Sequence, residues 1–397
     1  MSATLEHDQP AALACLRRAI ARGRLPHALV FASPGDVGET ELAHRLAQYL
    51  LCTQPRGPLE PCGTCDGCRH VLRATHPDVH EVRPKGLLRA IKTDDMLELI
   101  QQLQATTLAG GAKIGIIHQA ETLRKESANR FLKTLEEPPP GTYFILITTR
   151  VERLLPTIRS RCQVVRLQPL ASDVVRERLA AQFSLAPEDV ELVCGVARGR
   201  WSRAVQLAGQ VHAYREMVRR MGEVMQARRD ACVQAVELAR GLAQQAKERR
   251  AAFDEQCKQE MKARAQEWRD LDAGVRREML TALEEEMKSA FAAAERDEKA
   301  SIFEALADVW RDVWVLQTSG ARACVLHQFM LPVIEALART YSEDEIVRTL
   351  SEINLIRGPA VYLNARLDTA IQGLLAGATL PLEPRVPLRG ALLASRL

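Results

Sequence analysis

Four cysteines near residue 60 have the spacing of a metal site. Nine residues separate the first two and two residues separate each later pair, the set being Cys52, Cys62, Cys65 and Cys68. Four thiolates at such close spacing suit tetrahedral zinc, and a metal with four protein ligands has no open position for catalysis. The spacing therefore predicts a structural zinc site rather than four unrelated reduced cysteines.

Two histidines follow this segment and are alternative ligands by residue type, His70 and His76. Tetrahedral zinc needs no fifth ligand, and His76 precedes Pro77-Asp78, a dipeptide typical of a turn. We therefore expect His76 to be a turn residue and the four cysteines alone to hold the metal.

The segment from Ser33 to Thr40 has the position of a phosphate-binding loop but lacks its lysine. The motif G-x-x-x-x-G-K-[ST] would place glycine at Ser33 and lysine at Glu39, whereas the chain keeps Gly35 and Gly38. In a working loop the lysine reaches the β and γ phosphates, while backbone N–H groups at the helix start cradle the anion. A carboxylate ~4 Å from a phosphate costs several kcal/mol. The sequence therefore predicts that this chain binds no ATP.

A second departure follows the apolar run 113–117. An ATPase needs acidic residues at such a strand end, one for the metal and one to activate water. His118 and Gln119 stand there instead. Two independent losses predict an inactive site without intrinsic ATPase activity.

Strands and helices that would position these residues alternate in the first part of the chain. Apolar runs at 27–31, 113–117, 143–147 and 162–167 are predicted to be buried strands. Between the second and third runs, residues 127–135 have apolar side chains at helical spacing, and the prolines from Pro138 end that helix. Strands that alternate with helices indicate an α/β fold with a parallel sheet.

Strand signals end near residue 171, and the remainder is predicted to be mainly helical. Residues from about 240 to 299 are rich in Ala, Glu, Lys, Arg and Gln, which predicts long helices that turn near Asp272-Ala273-Gly274. Because no clean heptad is present, we expect a solvated arm, with a partner-binding coiled coil as the alternative. The last segment, 381–397, is predicted to be an irregular tail.

Composition excludes several classes of protein. The 397 residues carry a formal net charge of +4, too small to mark a protein that coats nucleic acid. No apolar run approaches the about 18 residues of a membrane helix, and the N-terminus lacks a basic region followed by an apolar core. We expect a cytoplasmic protein of two or three domains with no membrane partner.

Four segments together resemble the motifs of one family: Gly23-Arg24-Leu25-Pro26-His27-Ala28, His76-Pro77-Asp78, Ala128 to Pro139 and Leu155 to Cys162. They resemble the delta-prime and gamma/tau clamp-loader subunits of bacterial DNA polymerase III, strongly over about the first 210 residues and weakly beyond. The resemblance implies an AAA+ fold, with a RecA-like parallel sheet, a helical lid and an all-α C-terminal collar domain. The departures at Glu39 and at His118-Gln119 favour the delta-prime type, because gamma/tau subunits keep the lysine and the acidic pair.

The resemblance also implies roles for single residues. It implies that Arg161, in Ser160-Arg161-Cys162, reaches the ATP of a neighbouring subunit, where a guanidinium stabilises charge during phosphoryl transfer. Arg159 is expected to be structural. Arg203 matches the lid arginine that senses nucleotide, and is expected here to be vestigial or an interdomain contact. Thr148-Thr149 matches the polar end of a strand, and the cysteines match the zinc insert of the family.

The implied domains are an AAA+ core over 1–169 with the zinc module at 52–68, a lid over 170–212, and a collar domain over 213–380 that carries the 240–299 insertion. Expected partners are gamma/tau motor subunits and delta in a hetero-pentameric ring and, through the complex, the sliding clamp and primed DNA. Two alternatives stay open: an ATP-hydrolysing motor subunit of gamma/tau type, and a zinc-bearing AAA+-derived adaptor outside replication.

Overall fold

The computed structural model describes residues 2–84, 90–104, 111–226, 231–269, 272–362 and 374 of the chain. Two compact units divide the molecule, Met1–Ala208 and Gly209–Leu397. The finer limits expected for a lid at 170–212 and a collar at 213–380 remain predictions. The expected tail, 381–397, lies outside the described residues.

A parallel sheet forms the centre of the first unit. Its strands in the described residues are β1 (Ala28–Ala32), β2 (Val79–Val82), β3 (Lys113–Ile117), β4 (Thr142–Thr148) and β5 (Gln163–Arg166). They pair in the order β2-β3-β4-β1-β5. Every residue of β1 and β3 is buried, as expected of central parallel strands with continuous apolar sequences. The four predicted strands are confirmed. The strand β2 was not predicted, because its Val-His-Glu-Val sequence combines apolar and polar residues and is only partly buried.

Helices cover both faces of this sheet. They are α1 (Ser2–Asp8), α2 (Pro10–Ala21), α3 (Glu39–Leu51), α4 (Asp66–Leu72), α5 (Thr93–Gln104), α6 (Lys125–Glu136) and α7 (Pro156–Arg159). The next three helices, α8 (Ser172–Gln182), α9 (Pro187–Ala197) and α10 (Trp201–Ala208), pack against one another. Phe31 packs in one core with Leu46 of α3, whereas its neighbour Val30 packs in another with Phe131 of α6. Consecutive strand residues point to opposite faces, so the cores lie on opposite sides of the sheet. The predicted α/β architecture, a parallel sheet flanked by helices, is confirmed.

The carboxyl ends of the strands position the candidate residues. The loop 33–38 joins β1 to α3, His118 directly follows β3, and β4 ends at Thr148. Ala32 pairs with Thr148, and the N–H of Ser33 donates to the Thr148 carbonyl at 3.1 Å. Because the strands are parallel, these ends share one edge, the place where α/β folds bind ligands.

The second unit is helical in its described part, with α11 (Val211–Gln226), α12 (Ala231–Glu267), α13 (Ala273–Ser319), α14 (Leu331–Thr340) and α15 (Glu343–Tyr362). The predicted long helices are α12 and α13, on which the rings of Phe253 and Phe291 stack at 4.1 Å. The turn lies slightly before the predicted position, because Asp272 caps α13 by accepting the N–H of Gly274. None of the helices in the described ranges is both long enough and apolar enough to span a bilayer.

A buried polar network joins three segments of the second unit. Asp312 of α13 accepts the backbone N–H groups of Leu326 and His327, both at 2.9 Å, and its Oδ2 lies 2.8 Å from His327 Nδ1. His327 Nε2 lies 3.1 Å from the hydroxyl of Tyr214 in α11. The side chains of Asp312 and His327 are fully buried. Because each polar atom at a buried position needs a partner, this network sets how α11, α13 and the chain around residue 327 pack.

Candidate functional site

The four predicted cysteines come together in the structure. The Sγ atoms of Cys52, Cys62, Cys65 and Cys68 all lie within 4.8 Å of one another. Cys52 directly follows α3 and Cys68 lies in the first turn of α4, so two helix ends bracket the cluster. Gly63 has a φ of 76°, a left-handed value that lets the chain turn between ligands. The cluster could hold one metal ion.

The surroundings of the thiols favour metal binding. Backbone N–H groups of Thr64 and Cys65 lower the pKa of the Cys62 thiol to about 5, and the Cys65 nitrogen lies 3.3 Å from that sulfur. Burial raises the pKa of Cys68, and a bound cation would offset this effect because metal binding drives deprotonation of thiols. A set of four sulfur donors fits structural zinc. His76 is buried and accepts the N–H of Asp78 at Nδ1 (3.1 Å), as a turn residue does.

The phosphate loop is filled by its own glutamate. The backbone N–H groups of Asp36 and Val37 donate to Glu39 Oε1 and Oε2, each at 2.9 Å. Gly35 and Gly38 have φ values of 93° and 98°, which favour glycine. Only 9% of the Glu39 surface is exposed. The carboxylate therefore turns back into the loop and takes amides that a phosphate would need.

The outer residues of the loop flank this arrangement. Ser33 is buried, and its Oγ accepts the N–H of Gly35 at 3.1 Å. Thr40, the residue expected at the magnesium position of a working loop, is half-buried in the first turn of α3. Side chains of the loop and of α3 thus accept the backbone N–H groups of Gly35, Asp36 and Val37.

Two carbonyl groups of the loop accept hydrogen bonds from other segments, and one of these donors also bonds a third segment. The side-chain amide of Gln9 donates to the carbonyls of Val37 at 3.0 Å and Gln168 at 2.8 Å. The N–H of Trp201, the first residue of α10, donates to the Asp36 carbonyl at 3.1 Å. The loop is therefore tied to the N-terminal segment, to the chain after β5 and to α10.

A cluster of histidine and glutamate replaces the acidic pair at the end of β3. His118 Nε2 lies 2.9 Å from Glu81 Oε2, and His44 Nε2 lies 2.6 Å from Glu81 Oε1. Arg83 also donates to Glu81, at 2.9 Å. Burial by itself raises the pKa of Glu81, but hydrogen bonds from His118 and His44 lower it well below its ordinary value. Gln119 follows with a left-handed φ of 48°, so neither predicted position presents a carboxylate to a metal.

Glu121 holds the end of β4. The hydroxyls of Thr148 and Thr149 donate to its carboxylate at 2.7 and 2.8 Å. Thr148 is buried. The polar strand end that a nucleotide would meet is therefore bonded to a carboxylate of the same chain.

The two predicted arginines lie in different surroundings. Arg161 follows α7, and its guanidinium donates to Glu136 at 2.6 Å and to the Thr157 carbonyl at 3.0 Å. Its side chain is 37% exposed. Arg203 in α10 is buried, with Nη1 at 3.3 Å from Gln206 Oε1. Of the two, Arg161 has the open position from which a side chain can meet another protein.

Several partners of these residues are absent from the sequence-based prediction. Glu81, His44 and Gln9 are not predicted as site residues, because their contacts join positions far apart in the chain. Glu39 is predicted only to repel a phosphate. An acidic residue in the first turn of a helix is a known capping signal, so the bond of Glu39 to the loop had a local sequence signal.

Residues 8–171 match a family model described as DNA polymerase III, delta subunit. The DNA polymerase III subunit delta' of Bacillus subtilis is 34% identical over 200 residues, 50% of this chain and 59% of that relative. The Escherichia coli subunit delta' is 40% identical over 147 residues, 37% of this chain and 44% of that relative. The chain thus spans about half the length of these curated relatives. The resemblance predicted from the four motifs is confirmed over this part.

Two further similarities complete the comparison. The Escherichia coli subunit tau is 32% identical over 206 residues, 51% of this chain and 31% of that relative. A solved gamma-subunit-related protein of Thermotoga maritima covers 93% of this chain and 98% of its own, at 16% identity and a TM-score of 0.39. That structural likeness is too distant to support an inference about function.

Proposed function

We propose that this chain, which is similar in its N-terminal half to the delta-prime subunits of bacterial DNA polymerase III, is a non-hydrolysing subunit of the clamp loader. It would join gamma/tau motor subunits and delta in a hetero-pentameric ring that loads the sliding clamp onto primed DNA in the cytoplasm. The family match over residues 8–171 and the identities of 34% and 40% support a place within DNA polymerase III. The observation that carries the non-hydrolysing role is the Glu39 carboxylate inside the phosphate loop.

A filled loop would exclude ATP for two reasons. An incoming phosphate would have to displace the carboxylate from two N–H groups and would then face a like charge, at a cost of about 4 kcal/mol for ~4 Å and an effective dielectric near 20. At the metal position, His118 is bonded to Glu81 and supplies no carboxylate of the kind that magnesium prefers. Binding and hydrolysis would therefore both lack a necessary group.

Arg161 is proposed to act on the ATP of the neighbouring motor subunit. Its guanidinium is 37% exposed and is held from one side by Glu136 and the Thr157 carbonyl. A planar guanidinium offers fixed charge and several donors to the oxygens of a γ-phosphate during transfer. The chain would thus complete a neighbour's site without having a working site of its own.

ATP turnover of the reconstituted complex tests this role. Arg161→Ala should leave the complex assembled and lower its DNA- and clamp-stimulated ATPase by at least the share of the one site that Arg161 completes. An arginine supplied in trans contributes ~10³–10⁵ in kcat at the site it serves. Arg159→Ala removes the same charge from an exposed position two residues away and is the matched control. An unchanged rate for Arg161→Ala, or equal losses in both variants, would contradict the role.

A motor subunit of gamma/tau type is the second candidate, favoured by the 32% identity with the tau subunit. It requires ATP binding and turnover by the isolated chain, which equilibrium binding of labelled ATP and a hydrolysis assay would detect. Tight binding or turnover would replace the non-hydrolysing assignment with this one. An adaptor outside replication would fail to co-purify with the motor subunits.

Zinc is proposed as the metal of the four-cysteine cluster. The all-sulfur donor set and the N–H groups directed at Cys62 support a closed structural site. The ion would hold the segment between α3 and α4 in a fixed shape beside the sheet, because it links the residue after one helix to the first turn of the next.

A further inference from the structure

We propose that Glu39 is a built-in substitute for the phosphate anion, which keeps the loop 33–38, and through it the attachment of α10, in one fixed arrangement without any ligand. Both carboxylate oxygens accept a backbone N–H of the loop at 2.9 Å. An anion at the start of a helix is stabilised by the helix dipole and by charge-assisted hydrogen bonds. The loop then has its anion without any ligand.

Simple repulsion of nucleotide does not explain this geometry. A glutamate that served only to repel phosphate would gain most by pointing into water, since burying an unpaired charge is costly. Glu39 is instead 9% exposed and bonded to two amides. Glu41, the other acidic residue in the first turn of α3, is half-buried and makes no hydrogen bond to the loop within the described residues. Comparison of variants at Glu39 and Glu41 can therefore distinguish the effect of occupying the loop amides from the effect of a nearby negative charge.

The filled loop supports the segments bonded to its carbonyls. Asp36 presents its N–H to Glu39 and its carbonyl to the N–H of Trp201. Val37 presents its N–H to Glu39 and its carbonyl to Gln9, which also bonds the Gln168 carbonyl. Loss of the carboxylate would leave two N–H groups without their acceptor and would loosen the peptide units that hold these segments. The order of the loop is therefore coupled to the position of α10 within the first unit.

This inference deepens the proposed function, on which its biological meaning rests. A subunit whose loop is permanently filled would keep one shape through every cycle of ATP binding and release by its neighbours. The physical claim concerns the isolated chain alone. It can therefore fail or succeed independently of the role of Arg161 in a complex.

Thermal unfolding of the full chain with inorganic pyrophosphate as the probe tests the claim, at constant ionic strength. The variants are Glu39→Ala, Glu39→Gln and the charge-matched control Glu41→Ala. Wild type and Glu41→Ala should show Tm values that do not change with pyrophosphate. Glu39→Ala should unfold at least about 4 °C lower and should regain at least half of that loss in millimolar pyrophosphate, because the vacated amides accept the added anion.

Two further readouts keep the test decisive. Glu39→Gln has a side chain of the same shape with one acceptor oxygen, so its Tm should fall between those of wild type and Glu39→Ala. If Glu39→Ala fails to fold, the test is made with Glu39→Gln. Amide exchange at residues 36 and 37 should be at least tenfold faster in Glu39→Ala than in wild type. The proposal is overturned by an unchanged Tm, by a loss that pyrophosphate does not reverse, or by equal rescue of Glu41→Ala.

Discussion

The buried carboxylate of Asp312 is expected to contribute a large share of the stability of the second unit. In Asp312→Ala the backbone N–H groups of Leu326 and His327 and the imidazole of His327 lose the acceptor that lies 2.8–2.9 Å away. The side chains of this pair are fully buried, so water cannot replace the lost bonds. An unsatisfied buried donor costs about 1–3 kcal/mol, and breaking a buried pair about 3–5 kcal/mol. We expect a loss of about 4 kcal/mol in the free energy of unfolding.

Two milder substitutions calibrate this value. Asp312→Asn keeps one carbonyl oxygen for His327 but turns an amide N–H towards the donor of Leu326, so about half of the loss is expected. Tyr214→Phe removes only the hydroxyl 3.1 Å from His327 Nε2 and should cost about 1 kcal/mol. The expected order of stability is therefore wild type, Tyr214→Phe, Asp312→Asn and Asp312→Ala.

Urea unfolding, followed by tryptophan fluorescence and circular dichroism, measures these differences. Trp310 is 1% exposed and packs against Tyr341 at a ring distance of 5.0 Å, so its fluorescence reports on the second unit. Two compact units call for a fit with two transitions, and a lower midpoint at constant slope identifies a true loss of stability. A loss below about 1 kcal/mol in Asp312→Ala, or a loss in Tyr214→Phe as large as that in Asp312→Ala, would refute the reasoning.

Two other predictions concern the first unit. Cys65→Ser should lower bound zinc, measured by elemental analysis of the purified chain, from about one ion to a small fraction and should lower the Tm. Substitution of Cys324, an exposed free cysteine of the second unit, should change neither. Glu81→Gln should destabilise the chain at pH 7, because the depressed pKa of this carboxyl means that folding favours its charged form. That contribution is complete above the unfolded value of about 4.3 and is lost as the pH falls towards the folded value. Unfolding of both proteins at pH 7, 5 and 3.5 should therefore show a difference that shrinks only below about pH 4.3, and a constant difference would contradict the assignment.

The sheet and its helices were largely predictable, because the spacing of apolar residues within each short segment indicates which side chains are buried. The strand Lys113–Ile117 is buried at every residue and has no polar side chain after its first position, and the helix around Phe131 places apolar residues on one face. The edge strand β2 was not predictable in this way. Its His80 and Glu81 are recognisable as strand residues only when β3 lies beside them.

The candidate site also has some features that local sequence predicts and others that only the structure shows. The cysteine spacing, the missing lysine and the missing acidic pair are local patterns, and each predicted a chemical consequence before any fold was known. For the proposed loss of nucleotide binding by the loop, the structure supplies a second reason. Repulsion by Glu39 follows from its charge, whereas occupancy of the loop amides follows from the conformation of its side chain, which the fold leaves only 9% exposed.

The sequence by itself determined the fold class, the long helices of the second unit, the cluster of four cysteines and the absence of the usual phosphate and metal partners. These features depend on residue type and on spacing within a few turns of chain. Only the tertiary structure decided that Glu81 binds both His44 and His118, that Gln9 ties the loop to residue 168, and that Asp312 binds His327. Such contacts join residues brought together by burial of apolar surface elsewhere, and burial also makes them strong, because a polar group removed from water must find its partner within the protein.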